Sequence, residues 1–153
     1  MRRFGPSPRP GIAYIRRPGA YAVIRRGGAV LVTEQQDTAV EIQLPGGGID
    51  PGETPQAALA REVWEETGSR IRVVAKLGVF QRFTWMPEYG IHAQKICHIY
   101  LATPGLRIGP PVEPWHRALW LPAAEAVARL AVDGDAYHTA RAMGLPPRRP
   151  LGV

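Results

Sequence analysis

The chain has 153 residues, 45% hydrophobic and 21% charged, with a formal net charge of +6 and a pI near 10.1. That is the size and composition of one globular domain with a single core, and it excludes a disordered polymer and a disulfide framework, Cys97 being the only cysteine. Nearly all the positive charge is arginine, with Lys76 and Lys95 the only lysines. This favours an anionic partner, because a guanidinium binds phosphate oxygens in pairs.

The N-terminal stretch MRRFGPSPRPG has two arginines but no apolar h-region after them, and no run approaches the ~18 apolar residues of a membrane span. The pattern predicts a cytoplasmic protein with no membrane partner. Residues 1–18, broken by Pro6, Pro8, Pro10 and Pro18, read as an arm, with GIAYI able to form a short edge strand. AYAVIRR (20–26), a turn at Gly27 and Gly28, and AVLVTEQ (29–35) predict a hairpin, followed by a short strand EIQLP (41–45). GGGIDPGE reads as a loop that is neither helix nor strand. Thr54 and Pro55 then predict an N-cap and first helical position, and Gly68 a stop, around QAALAREVWEET.

Beyond the helix, IRVVAKLGVFQRFTW (71–85) and IHAQKICHIYLAT (91–103) predict a long hairpin closed by MPEYG, in which Cys97 reads as a small buried hydrophobe. A Gly/Pro-rich connection leads to a last strand, HRALWL, and to a helix starting near Pro122. A second helical piece, AYHTARAMG, follows the turn DGD, and the Pro/Arg-rich tail 144–153 reads as disordered. The order of elements predicts an α+β fold, a mixed sheet covered by helices, occupying residues 19–143.

On the 54–68 helix, at about 100° per residue, Glu65, Glu62 and Glu66 fall at roughly 280°, 340° and 20° from Pro55. Leu59, Ala60, Val63, Trp64 and Thr67 take the arc from roughly 40° to 180°. The apolar arc is expected on the sheet and the acids opposite it. Like charges three and four residues apart repel, and a hard divalent cation would turn that repulsion into coordination by oxygen. The bland alternative is a solvated face with an Arg61–Glu65 pair.

Reading back from the acids, Gly47, Glu53, Arg61, Glu62, Val63, Glu65, Glu66 and Gly68 stand at the offsets of the Nudix box. The segment LPGGGIDPGETPQAALAREVWEETG (44–68) resembles the Nudix (MutT-like) hydrolase family. Its one departure is Ser69, where the family has an aliphatic residue and where Ile71 is placed to supply the contact. The likeness extends in outline over residues 19–143, including the Trp120-Leu-Pro run before the last helices.

The resemblance implies a Nudix fold, an α/β/α sandwich with a mixed central sheet. It implies a hydrolase that uses Mg²⁺ or Mn²⁺ to cleave a diphosphate linkage in a nucleoside di- or triphosphate derivative. Carried over by position, Glu62, Glu65 and Glu66 are expected metal ligands together with the carbonyl of Gly46 or Gly47. Arg61 orients the glutamates, and Glu53 sits at the helix start beside the metals. The general base comes from the box or from a loop carboxylate, for which Glu113 is the candidate and Glu88 its rival. The extra signatures of coenzyme A, ADP-ribose and dinucleoside polyphosphate types are missing or out of register.

Phe83, Trp85, Tyr89 and Trp115 could stack on a base, Phe83 being better explained by hairpin packing. Arg82 and Arg117 could meet phosphates. Two other functions fit the same fold: a nucleotide-binding Nudix module without catalysis, and an RNA 5′-end pyrophosphohydrolase. The second is disfavoured because no basic stripe is interleaved with aromatics, so a nucleotide-type small molecule, not a nucleic acid, is the expected partner. A homodimer joined through the arm or tail is compatible with the pattern.

Overall fold

The computed structural model describes residues 1–36, 40–107, 109–110 and 116–153. Its elements in chain order are β1 (Arg2–Arg3), β2 (Ile15–Arg26), β3 (Ala29–Gln36), β4 (Val40–Gln43), β5 (Gly46–Gly48), α1 (Pro55–Thr67), β6 (Ser69–Met86), β7 (Ile91–Arg107), β8 (His116–Pro122), α2 (Ala123–Arg129) and α3 (Asp133–Ala142). The strands form one mixed sheet in the order β1-β6-β7-β2-β3-β4, with β5 also on β2 and β8 also on β3. The β1–β6 and β2–β7 pairs are parallel and the others antiparallel.

Alternation along β2 shows how the sequence builds two cores. Ala20, Ala22 and Ile24 point to one face, where they pack with Leu59 and Val63 of α1. Val23 points to the other, with Val30, Ile99, Leu101, Ala126 and Leu130 beneath α2 and α3. Helices therefore cover both faces, giving the expected α/β/α sandwich. Ile71 joins the α1-side cluster, the contact anticipated from the departure at Ser69.

Helix α1 begins and ends where the sequence indicates. The Thr54 hydroxyl accepts from the Ala57 N–H at 3.1 Å and Pro55 is the first helical residue. Gly68 closes the helix at φ 69°, donating its N–H to the Trp64 carbonyl at 2.8 Å. A Cβ there would lie 1.8 Å from the Gly109 carbonyl oxygen, so glycine is needed for its conformation and for the close approach of that segment.

Four expectations need correcting. Gly46–Gly48 is a short strand, because bare backbone can slide against β2, with Tyr21 opposite Gly46 and Gly19 opposite Gly48. The apolar arc of α1 is narrower than the wheel implied: Trp64 is 43% exposed, whereas Glu66, assigned to the acidic face, is only 5% exposed because β5 lies over it. The DGD turn is the first turn of α3. The tail is not disordered but folds back onto Asp133, whose carboxylate accepts from the N–H groups of Leu151, Gly152 and Val153.

The N-terminal stretch is also docked. Arg2 and Arg3 pair with β6, and the Arg2 guanidinium lies over the rings of Phe4 and Tyr137. No helix is long and apolar enough to cross a membrane among the described residues.

Candidate active site

A cleft of about 690 Å³ opens on the α2/α3 side of the sheet. Gly46, Gly47, Gly48, Glu62 and Glu66 line one end, Tyr21, Lys95, Cys97 and Asp135 its floor, and Trp85, Glu88, Tyr89 and Arg17 its mouth. The acidic end is built by α1 and β5 together. A Cβ on Gly47 would come within 2.5 Å of the Glu62 carboxyl carbon, so the bare backbone lets the strand lie against that carboxylate where a side chain would push it aside. The Gly46 N–H donates to Glu66 at 3.3 Å, which gives the buried carboxylate a partner.

Arg61 is the hub of this end. Its Nε and Nη2 donate to the two oxygens of Glu53 at 3.0 and 2.8 Å, a fork on a fork. Nη2 also donates to the Gly48 carbonyl at 3.1 Å and lies 3.4 Å from Asp50. Nη1 donates to Glu62 at 2.9 Å and stands 3.5 Å from Glu65. The Arg61 hydrogen bonds, and then the Asp50 N–H at 2.9 Å, hold the Glu53 carboxyl down at about 2. The same Glu53 bonds push the arginine above its ordinary value.

The structure thus brings Glu53, Arg61, Glu62 and Glu65 into one network, with Glu66 and Gly46 joined beside it. Among the described residues no three His, Cys, Asp or Glu side chains converge on a single point: Glu62 and Glu65 turn to Arg61 and Glu66 to the Gly46 N–H. The donor set is nonetheless carboxylate and peptide oxygen throughout, which fits a hard divalent cation and not a soft one. Glu113 and Trp115 lie outside the described residues.

Glu88 lines the cleft; Phe83 instead packs edge-on against Tyr14, 4.9 Å between centroids. Trp85 and Tyr89 are 51% and 59% exposed, and the Arg17 guanidinium sits 4.5 Å from the Tyr89 ring centre. Arg117 stands opposite Glu34 on the β3–β8 pair. Burial pushes the Cys97 thiol up to about 12, leaving it unreactive.

Sequence reasoning missed Asp135 and Lys95 as cleft residues. The signals were there: a lone lysine in the apolar run KICHIYLA, and an acid at the head of an amphipathic helix.

The same sandwich topology recurs in solved structures. A NUDIX hydrolase from Nitrosomonas europaea superposes with a TM-score of 0.68 at 22% identity, covering 90% of this chain and 94% of that one. The NUDIX domain model matches residues 15–142, and the chain belongs to the Nudix family.

Among its relatives, a putative 8-oxo-dGTP diphosphatase of Bacillus subtilis is 38% identical over 71 residues, 46% of this chain and 47% of that protein. An RNA pyrophosphohydrolase of Roseobacter denitrificans is 30% identical over 130 residues, 74% of this chain and 81% of the relative. The chain spans about half the length of several of the curated relatives it matches.

Proposed function

We propose that the chain is a metal-dependent pyrophosphohydrolase that cleaves a diphosphate linkage in a nucleoside di- or triphosphate derivative. The observation that carries this is the Arg61 hub, which gathers Glu53, Glu62 and Glu65 at the end of a cleft large enough for a nucleotide. Glu62, Glu65 and Glu66, with the carbonyl of Gly46 or Gly47, would hold Mg²⁺ or Mn²⁺. Such a cation, when bound, neutralises the charge of the diphosphate and makes water a better nucleophile.

The chain's own residues supply the rest. Arg61 offsets the mutual repulsion of Glu62 and Glu65 and fixes their directions. Glu53, ionised down to about pH 2, is too weak a base to take a proton at neutral pH and acts as a positioning residue for Arg61. Water attacks phosphorus, the bridging P–O bond breaks, and a phosphate group leaves as an anion. The proton of the water goes to a carboxylate at the cleft, with Glu88, a box glutamate and Glu113 as the groups to be tested. A free buried thiol at Cys97 suits a reducing cytoplasm.

The test is a panel of nucleoside triphosphates and diphosphate-linked nucleotides with Mg²⁺ or Mn²⁺, scored by phosphate or pyrophosphate release. Wild-type turnover is expected, falling by at least 100-fold in Glu66→Gln and Glu65→Gln. Full turnover in either variant would overturn the metal-site assignment. A folded protein inert to the whole panel would favour the binding module without catalysis.

A second reading, action on the 5′ end of RNA, is favoured by the exposed Trp85 and the Arg17–Tyr89 stack at the mouth, where a second base could lie. It requires triphosphorylated RNA to be cleaved faster than a free nucleotide, with an advantage that shrinks as salt rises.

A further inference from the structure

The cleft uses one face of β6 and β7, and the other face has a chemistry of its own. Phe80 and Cys97 point under α3, so by strand alternation Phe83 and Trp85, with His92, Gln94 and His98 across from them, point to the opposite side. Arg16 of β2, in register with Gln94, points the same way. Helix α1 covers this side where Ala20, Ala22 and Ile24 meet Tyr100 and Ala102. Beyond that the face is open: Arg16, Lys76 and Trp85 are exposed, and the rings and amides between them are half-buried.

The open part is ordered along the strands. Trp85 lines the mouth of the cleft, and its ring centre lies 4.7 Å from that of His92. Tyr14, the residue before β2, stands 5.8 Å from His92 and 4.9 Å from Phe83. Four rings therefore form one aromatic surface leading out of the cleft. Next come two amides, Gln94 donating to Gln81 at 2.9 Å. At the far end the Lys76 ammonium is 3.1 Å from the His98 ring and 5.7 Å from the Tyr100 ring centre. Burial first, and then the charges of Lys76 and Arg16, hold the His98 imidazole below its ordinary value, which sets both cations beside it. From His92 to His98 the strand runs about 20 Å.

Charge restricts what this surface can take. The arm and strands β2, β6 and β7 carry thirteen of the chain's 19 Lys and Arg residues and none of its 13 Asp and Glu residues. Among the described residues, none of the ion pairs engages Arg16 or Lys76. A second copy laid face to face would set these cations against their like. An acidic peptide would meet the cations and leave the rings unused. Single-stranded nucleic acid supplies flat bases for the rings, phosphates for the cations and base edges for the amides. No single stretch of the chain shows this interleaving, because the fold assembles it from three strands.

We propose that the open face of β2, β6 and β7, from Trp85 to Lys76, is a track for single-stranded nucleic acid running out from the mouth of the cleft. This rests on the RNA reading above only in taking the cleft as the start of the strand.

The test is fluorescence anisotropy with labelled, unstructured oligonucleotides that begin in a 5′-hydroxyl, in a chelator, so that neither metal nor turnover enters. A 12-mer is expected to bind at least tenfold tighter than a 3-mer or a 12-base-pair duplex, and parallel RNA and DNA arms show which strand the track takes. His92→Ala and Phe83→Leu are each expected to weaken the 12-mer about tenfold. Arg16→Glu, at an exposed position that does not threaten the fold, should weaken it by a similar factor and carries the test if the ring variants do not fold. Arg72→Glu makes the same change of charge on the opposite face, since its neighbours Ile71 and Val73 pack on the α1 side, and should stay within twofold of wild type.

Equal losses in the Arg16 and Arg72 variants, equal binding of 3-mer and 12-mer, or poly-glutamate bound as tightly as the 12-mer would each overturn the proposal. Binding of the 12-mer without hydrolysis of any nucleotide would sink the hydrolase reading and leave the track standing. Turnover of free nucleotides without oligonucleotide binding would do the reverse.

Discussion

At the scale of single residues, Arg61 shows why arginine and lysine are not equivalent in this site. One planar fork meets both oxygens of Glu53 while its remaining nitrogen reaches Glu62 and Glu65. A lysine ammonium is a single point of charge and could satisfy one of these carboxylates at a time. Arg61→Lys should therefore leave the thermal midpoint nearly unchanged, since the group is partly exposed and such pairs contribute little to stability. Turnover should fall by roughly 10–100-fold, as when supporting partners of a metal site are removed. The Glu53 carboxyl, freed of its main partner, should titrate upward from about 2 toward the ordinary carboxylate range when followed by NMR. A Glu53 titration that stayed put would show that the Asp50 N–H, not Arg61, governs this carboxyl.

At the scale of elements, the C-terminal segment is held by one arginine. Arg148 donates through Nη1 to the carbonyls of Val127 and Leu130 at the end of α2, where helix carbonyls lack partners of their own, and through Nη2 to Asp133 at 2.9 Å. Burial alone would raise the Asp133 carboxyl, but the Leu151 N–H, Arg148 and the two following N–H groups more than offset this and hold it low. Arg148→Ala leaves a buried carboxylate short of its cation and should cost about 3 kcal/mol in urea unfolding. It should also make residues 145–153 sensitive to protease while the rest resists.

Legibility divides along the same line. Thr54, Pro55 and Gly68 mark α1 because caps are local chemistry, and the alternation in β2 was visible for the same reason. The tail's docking and the β5 strand were not visible, because their partners lie far away in sequence: Arg148 meets carbonyls 18 to 21 residues upstream, and β5 pairs with residues 19–21. Of the candidate site, the glutamates and Arg61 could be found from their spacing. For the cleft floor each residue carried a signal of its own, but nothing in the spacing joined them, since Lys95 and Asp135 come from separate elements.

For the molecule as a whole, the floor of the cleft has a cost that pH can expose. Burial pushes the Asp135 carboxyl up to about 6 from an ordinary value of 3.8. Between these two values the folded state holds a proton that the unfolded chain has lost, so this group's contribution to stability falls as pH rises from about 3.8 to 6 and stays low above that. At neutral pH the penalty is up to about 3 kcal/mol by the linkage relation.

His138, on the same helix and stacked on Phe80, works in the opposite sense. Burial lowers it from 6.5 to about 4, so the fold loses stability as pH falls through that interval. The two slopes oppose each other between pH 4 and 6, which predicts a nearly level stability for the wild type there. Asp135→Asn removes one of them. The variant should be more stable than wild type at pH 7.5, by up to about 3 kcal/mol, should lose that advantage by pH 4, and should show the His138 slope uncovered in between. Urea midpoints at half-unit pH steps would measure this, and equal stability of the two proteins at pH 7.5 would mean that the carboxylate finds solvent or a partner in the cleft.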